Sequence, residues 1–166
     1  MKPVDPLEVR KEDIYRYPHR VIVAGSRIFT DALKFESYLT DFLMMFDIKK
    51  DETVFITGDC PSGPDALIID WAKQHGWRYS RFPADWDDLT APDAIVRQNK
   101  FGKDYNVNAG FSRNQEMANV SSHLFAIIMD NSPGTRDMIQ RAEKKSLCKY
   151  VTKVKKGNNH AEKITG

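Results

Sequence analysis

Short apolar segments, each followed at once by a glycine or another turn residue, constrain the fold of this chain more than any other feature. The segment Val21-Ile22-Val23-Ala24 runs into Gly25, and the segment 53–57 runs into Gly58-Asp59. Short runs that are apolar on both faces are typical of strands buried in a parallel sheet. Strands are predicted, the third of them more weakly, at 21–24, 53–57, 77–82, 123–129 and 148–154.

Segments with helical periodicity lie between these strands. After the first strand, Phe35, Leu39 and Phe42 recur on one face of a helix, and Thr30 or Asp31 can cap its start. Further helices are predicted over 64–75, 110–120 and 134–146, with a short one around 93–99. This alternation predicts a single Rossmann-like α/β domain, with a parallel sheet of about five strands and helices on both faces.

The length of 166 residues fits one domain, and its boundaries follow changes in the pattern. Residues 1–19 are predicted to form an N-terminal arm, 20–155 the Rossmann-like domain and 156–166 a mobile tail. Within the domain, 87–108 is long and irregular for a connection between two elements, which indicates an inserted loop or lid.

Composition and charge limit the classes of partner. The formal net charge of +2 is too small to indicate a nucleic-acid or membrane partner, and the lysines between 144 and 156 are interpreted as a solvated surface. Cys60, Cys148 and the histidines have no metal-site spacing, so we expect no disulfide, no metal and no resident cofactor. Because no signal-peptide-like or membrane-spanning run is present, the expected location is the cytoplasm.

Polar turns follow the carboxyl ends of the predicted strands. The turns are Gly25-Ser26-Arg27, Gly58-Asp59, Pro83-Ala84-Asp85 and the stretch from Asp130 to Thr135. Ligands of open parallel sheets bind in the crevice outside these ends. We therefore expect the turns to converge on one site for a small nucleotide or nucleotide-derived molecule.

Two of these turns have the composition of a phosphate site. Gly25-Ser26-Arg27 combines backbone N–H groups, a hydroxyl and a cation just before a helix, or it is a plain turn with a surface arginine. Ser132-Pro133-Gly134-Thr135 offers a second cradle, or only the capped start of a helix. Neither the P-loop pattern nor the glycine-rich dinucleotide fingerprint is present.

A further arginine stands where a helix does not favour it. Arg113, with Asn114 beside it, lies near a predicted helix start, and a cation there opposes the helix dipole. The position indicates an anionic partner for Arg113, or else an ion pair with Glu116 three residues on.

The remaining candidates are two carboxylates and an aromatic ring. Asp59 and Asp65 flank the second turn, where each can bond a ribose or serve in turn and cap chemistry. Trp86 follows the third strand and Asp85, and it either stacks on a base or belongs to the core.

Short motifs at these turns occur in an order that resembles a known family. They are Gly25-Ser26-Arg27, Asp65 with Asp70-Trp71-Ala72, Pro83-Ala84-Asp85-Trp86, Ala109-Gly110 with Arg113-Asn114 and Met117, and Gly134-Thr135 with Met138. Together they resemble the SLOG superfamily, and most closely its YspA-like branch, which is common in bacteria and phages. The resemblance implies a Rossmann-like fold, a nucleotide-derived ligand and a homo-oligomer, either a dimer or a tetramer.

The last motif departs from the enzymes of that superfamily. The Lonely-guy phosphoribohydrolases carry a glutamate at this turn that acts with an arginine, and the resemblance puts Met138 at the glutamate and Arg113 at the arginine. Asp137 is one residue away, and because a helix turns ~100° per residue its carboxylate is aimed elsewhere. The candidate catalytic residues are Arg113, Asp137 despite this shift, and Glu116.

Three functions follow, of which ligand binding without catalysis is favoured. The protein would be a sensor, or a sequestering protein that a phage uses against a host signal. The alternative is a nucleoside-monophosphate phosphoribohydrolase, an N-glycosidase of the Lonely-guy type, with Asp137, Glu116 or Asp59 as the acid near Arg113. The weakest is single-stranded DNA binding as in DprA, which the small net charge does not favour.

Overall fold

The alternating pattern of the sequence builds a central sheet with helices on both faces. The computed structural model describes residues 5–155 and the backbone of residues 161–165. The strands are β1 (His19–Gly25), β2 (Thr53–Thr57), β3 (Arg78–Arg81), β4 (Val96–Gln98), β5 (Asp104–Asn106), β6 (His123–Met129), β7 (Cys148–Val154) and β8 (Ala161–Thr165). The helices are α1 (Ala32–Met45), α2 (Pro64–His75), α3 (Ala109–Val120) and α4 (Pro133–Lys144), with short 3₁₀ helices at Lys11–Arg16 and Lys50–Glu52.

The main sheet, within the described residues, has the strand order β3-β2-β1-β6-β7-β8. From β3 to β7 every neighbouring pair is parallel, which confirms the predicted parallel sheet of about five strands. At the edge, β8 pairs antiparallel with β7. This strand falls within the predicted mobile tail, whose other residues, 156–160 and 166, lie outside the described part of the chain.

Alternating side chains divide the core into two layers, one on each face of the sheet. On β1, Val21 and Val23 pack with residues of α1 and α2, whereas Ile22 packs with residues of α3 and α4. All three side chains are fully buried. The predicted helices on both faces are therefore present. As a separate point, no helix within residues 5–155 has both the length and the apolar composition needed to cross a membrane.

The strand order reverses between β1 and β6. The chain builds outward from β1 through β2 to β3, and then crosses to the other side of β1, where β6 and β7 follow. At such a switch point the connections leave two neighbouring strands toward opposite faces and open a crevice at the carboxyl ends. The fold therefore has its crevice between the turn after β1 and the turn after β6.

The N-terminal arm packs along the outer edge of β3. The Val9 N–H donates to the Tyr79 carbonyl at 2.7 Å, and the Tyr79 N–H donates to the Leu7 carbonyl at 3.1 Å. Ile14, in the 3₁₀ helix that follows, is buried against the sheet. The arm thus covers polar backbone groups that an edge strand would otherwise expose.

The insertion at 87–108 contains a hairpin, and the short helix predicted around 93–99 is wrong. Val96–Gln98 pairs antiparallel with Asp104–Asn106. The turn is closed by the Asn99 side chain, whose Oδ1 accepts the N–H of Phe101 at 2.8 Å and of Lys103 at 3.0 Å. Gly102 adopts φ +78°, which other residues rarely adopt. The bonds to Asn99 and the conformation of Gly102 therefore favour a hairpin over the predicted helix.

Candidate functional site

A cavity of about 600 Å³ opens at the switch point between β1 and β6. Its walls include the turn after β1, the turn after β6 and the first residues of α2, α3 and α4. Apart from Gly58, Asp59 and Asp85, every residue predicted to bind a ligand lines it: Gly25, Ser26, Arg27, Asp65, Trp86, Arg113, Asn114, Ser132, Gly134 and Thr135. The predicted turns after β1 and β6 meet at this cavity, whereas Gly58-Asp59 and Pro83-Ala84 line a second cavity.

The N-terminus of α4 forms one wall of this cavity. Ser132, the N-cap, makes no side-chain bond to a helix N–H group, because its hydroxyl pairs with the Thr135 hydroxyl at 2.8 Å. The first turn of α4 carries no acidic residue, and open space lies above Gly134. The uncapped N–H groups and the positive end of the helix dipole therefore suit an anion.

Ser26 joins the ends of the two central strands. Its buried hydroxyl donates to the Met129 carbonyl at 2.9 Å and accepts the Met129 N–H at 2.8 Å. Because both bonds are made to Met129, the Ser26 hydroxyl is already engaged within the protein. Ser26 therefore helps to form the cavity wall, and neighbouring residues would make the polar contacts with a ligand.

Arg27 is the exposed cation at the mouth of the cavity. It makes no hydrogen bond or ion pair with any residue in the described part of the chain. Its side chain also lines a second cavity, which adjoins the first. Arg27 can therefore turn to an anionic ligand without breaking a protein contact.

Arg113 is the anchored cation of the site. Its Nη1 donates to the carbonyls of Gly58 and, at 3.3 Å, Phe82, and its Nε donates to the Asn114 Oδ1 at 3.2 Å. Its Nη2 makes no hydrogen bond within residues 5–155, and the side chain lines both cavities. The ion pair between Arg113 and Glu116, which the spacing also allowed, is absent among the described residues.

Asp65 is a buried carboxylate in the wall of the first cavity. Its Oδ2 accepts the Cys60 N–H at 3.3 Å. Burial raises the pKa of Asp65, and the opposing effects of the bonds from Cys60 and of the charges on Arg113 and Arg27 are smaller. The carboxyl group therefore holds a proton more readily than an exposed aspartate does.

Gly58 allows Asp65 and Arg113 to approach the same stretch of backbone. A Cβ atom at this position would lie 2.6 Å from the Arg113 Nη1 and 2.8 Å from the Asp65 Oδ2. Because both distances are shorter than a van der Waals contact, any larger residue would displace both groups. Gly58 itself lines the second cavity.

Asp59 is held by an arginine that the sequence did not point to. The backbone of Asp59 is left-handed, with φ +61°, and its Oδ1 accepts from the Arg81 Nη1 at 2.8 Å. The Arg81 Nε lies 3.0 Å from the Glu8 Oε1 on the N-terminal arm. The sequence placed Arg81 in the predicted strand at 77–82. It did not identify Glu8 and Asp59 as partners of Arg81, because both are far from it along the chain.

The other candidate carboxylates have protein partners. The Asp137 Oδ2 accepts from the Arg141 Nε at 2.8 Å and from the Asn114 Nδ2 at 2.9 Å, and Glu116 pairs with Lys11 at 2.9 Å. Neither carboxylate lines either cavity, whereas the buried Met138 side chain lines the first. Asp65 and Asp130 are the carboxylates of the described residues that line the first cavity, and Asp65 approaches Arg113 at Gly58.

The second cavity, of about 780 Å³, lies between the turn after β2 and the β4–β5 hairpin. It shares Arg27, Cys60, Trp86 and Arg113 with the first cavity, and Asp85 lines neither. Trp86 is 36% exposed, so the interpretation of this ring as core is wrong. The hairpin contributes Asn99, Lys103 and Tyr105, which the sequence missed because the insertion was not assigned to the site.

The polar groups of the site suit an anion better than a cation. Two arginines and the start of α4 face the cavities. Of the carboxylates there, Asp59 and Asp87 are paired with basic side chains and burial raises the pKa of Asp65, while Asp130 also lines the first cavity. Among the described residues, no three His, Cys, Asp or Glu side chains are grouped to hold a metal ion. Cys60 and Cys148 are both free thiols, and burial raises the pKa of Cys60, which keeps that thiol protonated.

The comparison with protein families agrees with the motifs at these turns. A model of the YspA, cpYpsA-related SLOG family matches residues 19–88, from the start of β1 to just beyond Trp86. No curated protein matches the chain, and no solved structure does. Over residues 19–88 the match confirms the resemblance to the YspA-like branch of the SLOG superfamily.

Proposed function

We propose that this protein binds a nucleotide or a nucleotide-derived molecule in the cavity between β1 and β6. The observation that carries the proposal is the meeting of Arg27, Arg113 and the uncapped start of α4 at one cavity. The match of residues 19–88 to the SLOG family supports a nucleotide-related ligand in general terms. The size of the cavity, about 600 Å³, falls in the usual range for small-molecule sites.

Each part of such a ligand has a matching group. Arg27, the Nη2 of Arg113 and the N–H groups at the start of α4 bind the phosphate through charge-assisted hydrogen bonds. Trp86 offers an exposed ring face for a base, and the Asp65 carboxyl group bonds a ribose hydroxyl. A phosphate bound between two cations also offsets the repulsion between Arg27 and Arg113.

Binding of this kind suits a sensor or a sequestering protein. Met138 lies in the wall of the first cavity where the related enzymes have a glutamate, and Asp137 beside it is paired with Arg141. A site that holds phosphate firmly and lacks a carboxylate at that position retains a ligand instead of converting it. The complex with the ligand, and not a reaction product, would then carry the function of the protein.

Thermal-shift assays and calorimetry with a panel of nucleotides and cyclic nucleotides test the proposal. A ligand at about 100 times its Kd stabilises the folded state by about 2.7 kcal/mol, which raises the Tm by several degrees. Arg27→Ala is expected to weaken binding roughly tenfold, because a hydrogen bond to a charged group is lost.

The matched control is Arg97→Ala, which removes an exposed arginine of β4 that lines neither cavity. This variant is expected to bind as the parent protein does. If no nucleotide stabilises the protein at millimolar concentration, the proposed function is wrong.

Hydrolysis of an N-glycosidic bond is the second candidate, and the position of Asp65 favours it. This carboxyl group is buried in the cavity beside Arg113, and burial raises its pKa, as a general acid requires. Asp65 would give its proton to the base as the N-glycosidic bond breaks, water would add to the anomeric carbon of the ribose, and the proton that this water loses would restore the Asp65 carboxyl group. Release of free base from nucleoside monophosphates, abolished in Asp65→Asn although binding persists, is the expected result. Purified protein that leaves every nucleotide intact would exclude this reaction.

A further inference from the structure

The adjoining cavities form one divided site, and we infer from this division that the ligand is a dinucleotide, with one nucleoside in each cavity. The inference rests on the proposed function and specifies its ligand class. The first cavity measures about 600 Å³ and the second about 780 Å³. Sites for drug-sized molecules span roughly 300–1,000 Å³. A mononucleotide would fill the first cavity, between β1 and β6, and leave the second to water.

The boundary between the cavities carries the positive charge. Arg27, Cys60, Trp86 and Arg113 line both sides of it. Arg27 has no polar partner within residues 5–155, and the Nη2 of Arg113 has none either. The phosphates that join two nucleosides would lie at this boundary, where their charge meets both guanidinium groups.

Each cavity also has an apolar surface for a base. In the first cavity this surface comes from methionine side chains and Ile28, and methionine adapts to flat rings. In the second it comes from three aromatic rings, those of Trp86, Tyr105 and Phe111. Trp86 and Tyr105 meet edge to face, with ring centroids 6.4 Å apart, so each keeps a face for stacking.

The hairpin of β4 and β5 forms the outer wall of the second cavity. Lys103 reaches this wall and forms an exposed ion pair with Asp87 at 3.2 Å, which a ligand can replace at little cost. The hairpin lies beyond the residues that match the family, 19–88. The second nucleoside is therefore recognised by a part of the chain that lies outside that match.

Calorimetry with matched pairs of ligands tests the inference. Each of the four ribonucleoside 5′-monophosphates is compared with its symmetric dinucleoside pyrophosphate and with its 3′,5′-linked dinucleotide. At least one dinucleotide is expected to bind at least about tenfold more tightly than its mononucleotide, since the second base adds stacking contacts.

Variants of the hairpin show whether the second cavity produces that difference. Lys103→Ala and Tyr105→Ala are expected to remove most of the dinucleotide advantage and to leave mononucleotide binding unchanged. Lys103 is exposed, so its variant tests the inference even if Tyr105→Ala fails to fold. Lys100→Ala, in the same hairpin but lining neither cavity, is the control and should bind as the parent protein does.

The possible results separate this inference from the proposed function. If mononucleotides and dinucleotides bind equally well, or if the dinucleotide advantage survives both hairpin variants, the inference is wrong and the proposed function stands. If none of these ligands binds, the inference is wrong, and the wider panel with cyclic nucleotides decides the proposed function.

Discussion

Gly58 is the residue on which the arrangement of the charged groups depends most directly. Arg113 donates to its carbonyl, and Asp65 lies against the side where a Cβ atom would be. A guanidinium group and a carboxyl group are thus held near each other by a residue that has no side chain. The sequence predicted Gly58 as part of a ligand-binding turn but not as the contact of Arg113, because the two residues are 55 positions apart.

Gly58→Ala is expected to reduce both stability and ligand binding. The new methyl group would overlap the Arg113 Nη1 and the Asp65 Oδ2, and overpacking of this kind costs about 1–3 kcal/mol. Chemical denaturation measures the first effect and calorimetry the second. A variant with parental stability and affinity would show that Arg113 and Asp65 can move apart freely.

Asp65→Asn is expected to stabilise the protein without ligand at neutral pH. Because burial raises the pKa of Asp65 in the folded state, the ionised carboxylate is disfavoured there relative to the unfolded chain. The favourable contribution of Asp65 is present at low pH and is lost as the pH rises through the folded-state pKa. A neutral amide of the same shape avoids this loss.

Urea denaturation at pH 7 measures the effect of this substitution. Asp70→Asn, at an exposed position of the same helix, is the control and should leave the midpoint unchanged. A lower midpoint for Asp65→Asn than for the parent would mean that the ionised carboxylate stabilises the fold. The residue would then have a mainly structural role.

Among the elements, the β4–β5 hairpin is the one whose stability should vary independently of the sheet. It is a separate two-stranded sheet, and every residue of β4 is exposed. A pair of strands on its own is marginally stable in water. Its order therefore depends on the Asn99 turn, on Gly102 and on the contact between Trp86 and Tyr105.

Gly102→Ala is expected to loosen the hairpin while the rest of the fold keeps its stability. The residue has φ +78° with no atom within 4 Å of a Cβ position, so the effect is backbone strain of about 1–2 kcal/mol. Hydrogen exchange should become faster at residues 96–106 and stay unchanged in β1 and β6. Equal acceleration throughout would show that the hairpin and sheet unfold together.

The elements differ in how far the sequence predicts them. The strands at 53–57, 123–129 and 148–154 and the helix at 64–75 are observed at the predicted bounds, because each carries its pattern in consecutive residues. The hairpin was missed because it is fixed by one side-chain turn and one glycine. The second cavity was missed for the same reason, since it exists only where that hairpin folds back.

For the whole molecule, His123 is expected to make a contribution that lowers stability as the pH falls from 6.5 to about 4, opposite in sign to that of Asp65. Burial, and to a lesser degree the nearby His19, lowers the pKa of His123 to about 4. Between that value and the ordinary value of 6.5, the unfolded chain binds more protons than the folded one, so acid favours unfolding.

Chemical denaturation as a function of pH measures this dependence. His123→Phe should reduce the slope between pH 6.5 and 4, because a phenyl ring does not titrate, although the bond between Ser122 Oγ and His123 Nδ1 is lost. His75→Asn, an exposed histidine paired with Glu36, should leave that slope largely intact. If both variants keep the parental slope, other groups govern the acid sensitivity.

The ion pairs that run from Glu8 through Arg81 to Asp59 connect the N-terminal arm to the wall of the second cavity. Free-energy coupling between two sites is reciprocal. If release of the arm weakens ligand binding, the ligand must hold the arm in place by the same factor. Bound ligand would then slow protease cleavage on the N-terminal side of Arg10. A bulky group fused to the N-terminus would weaken ligand binding without contacting the ligand.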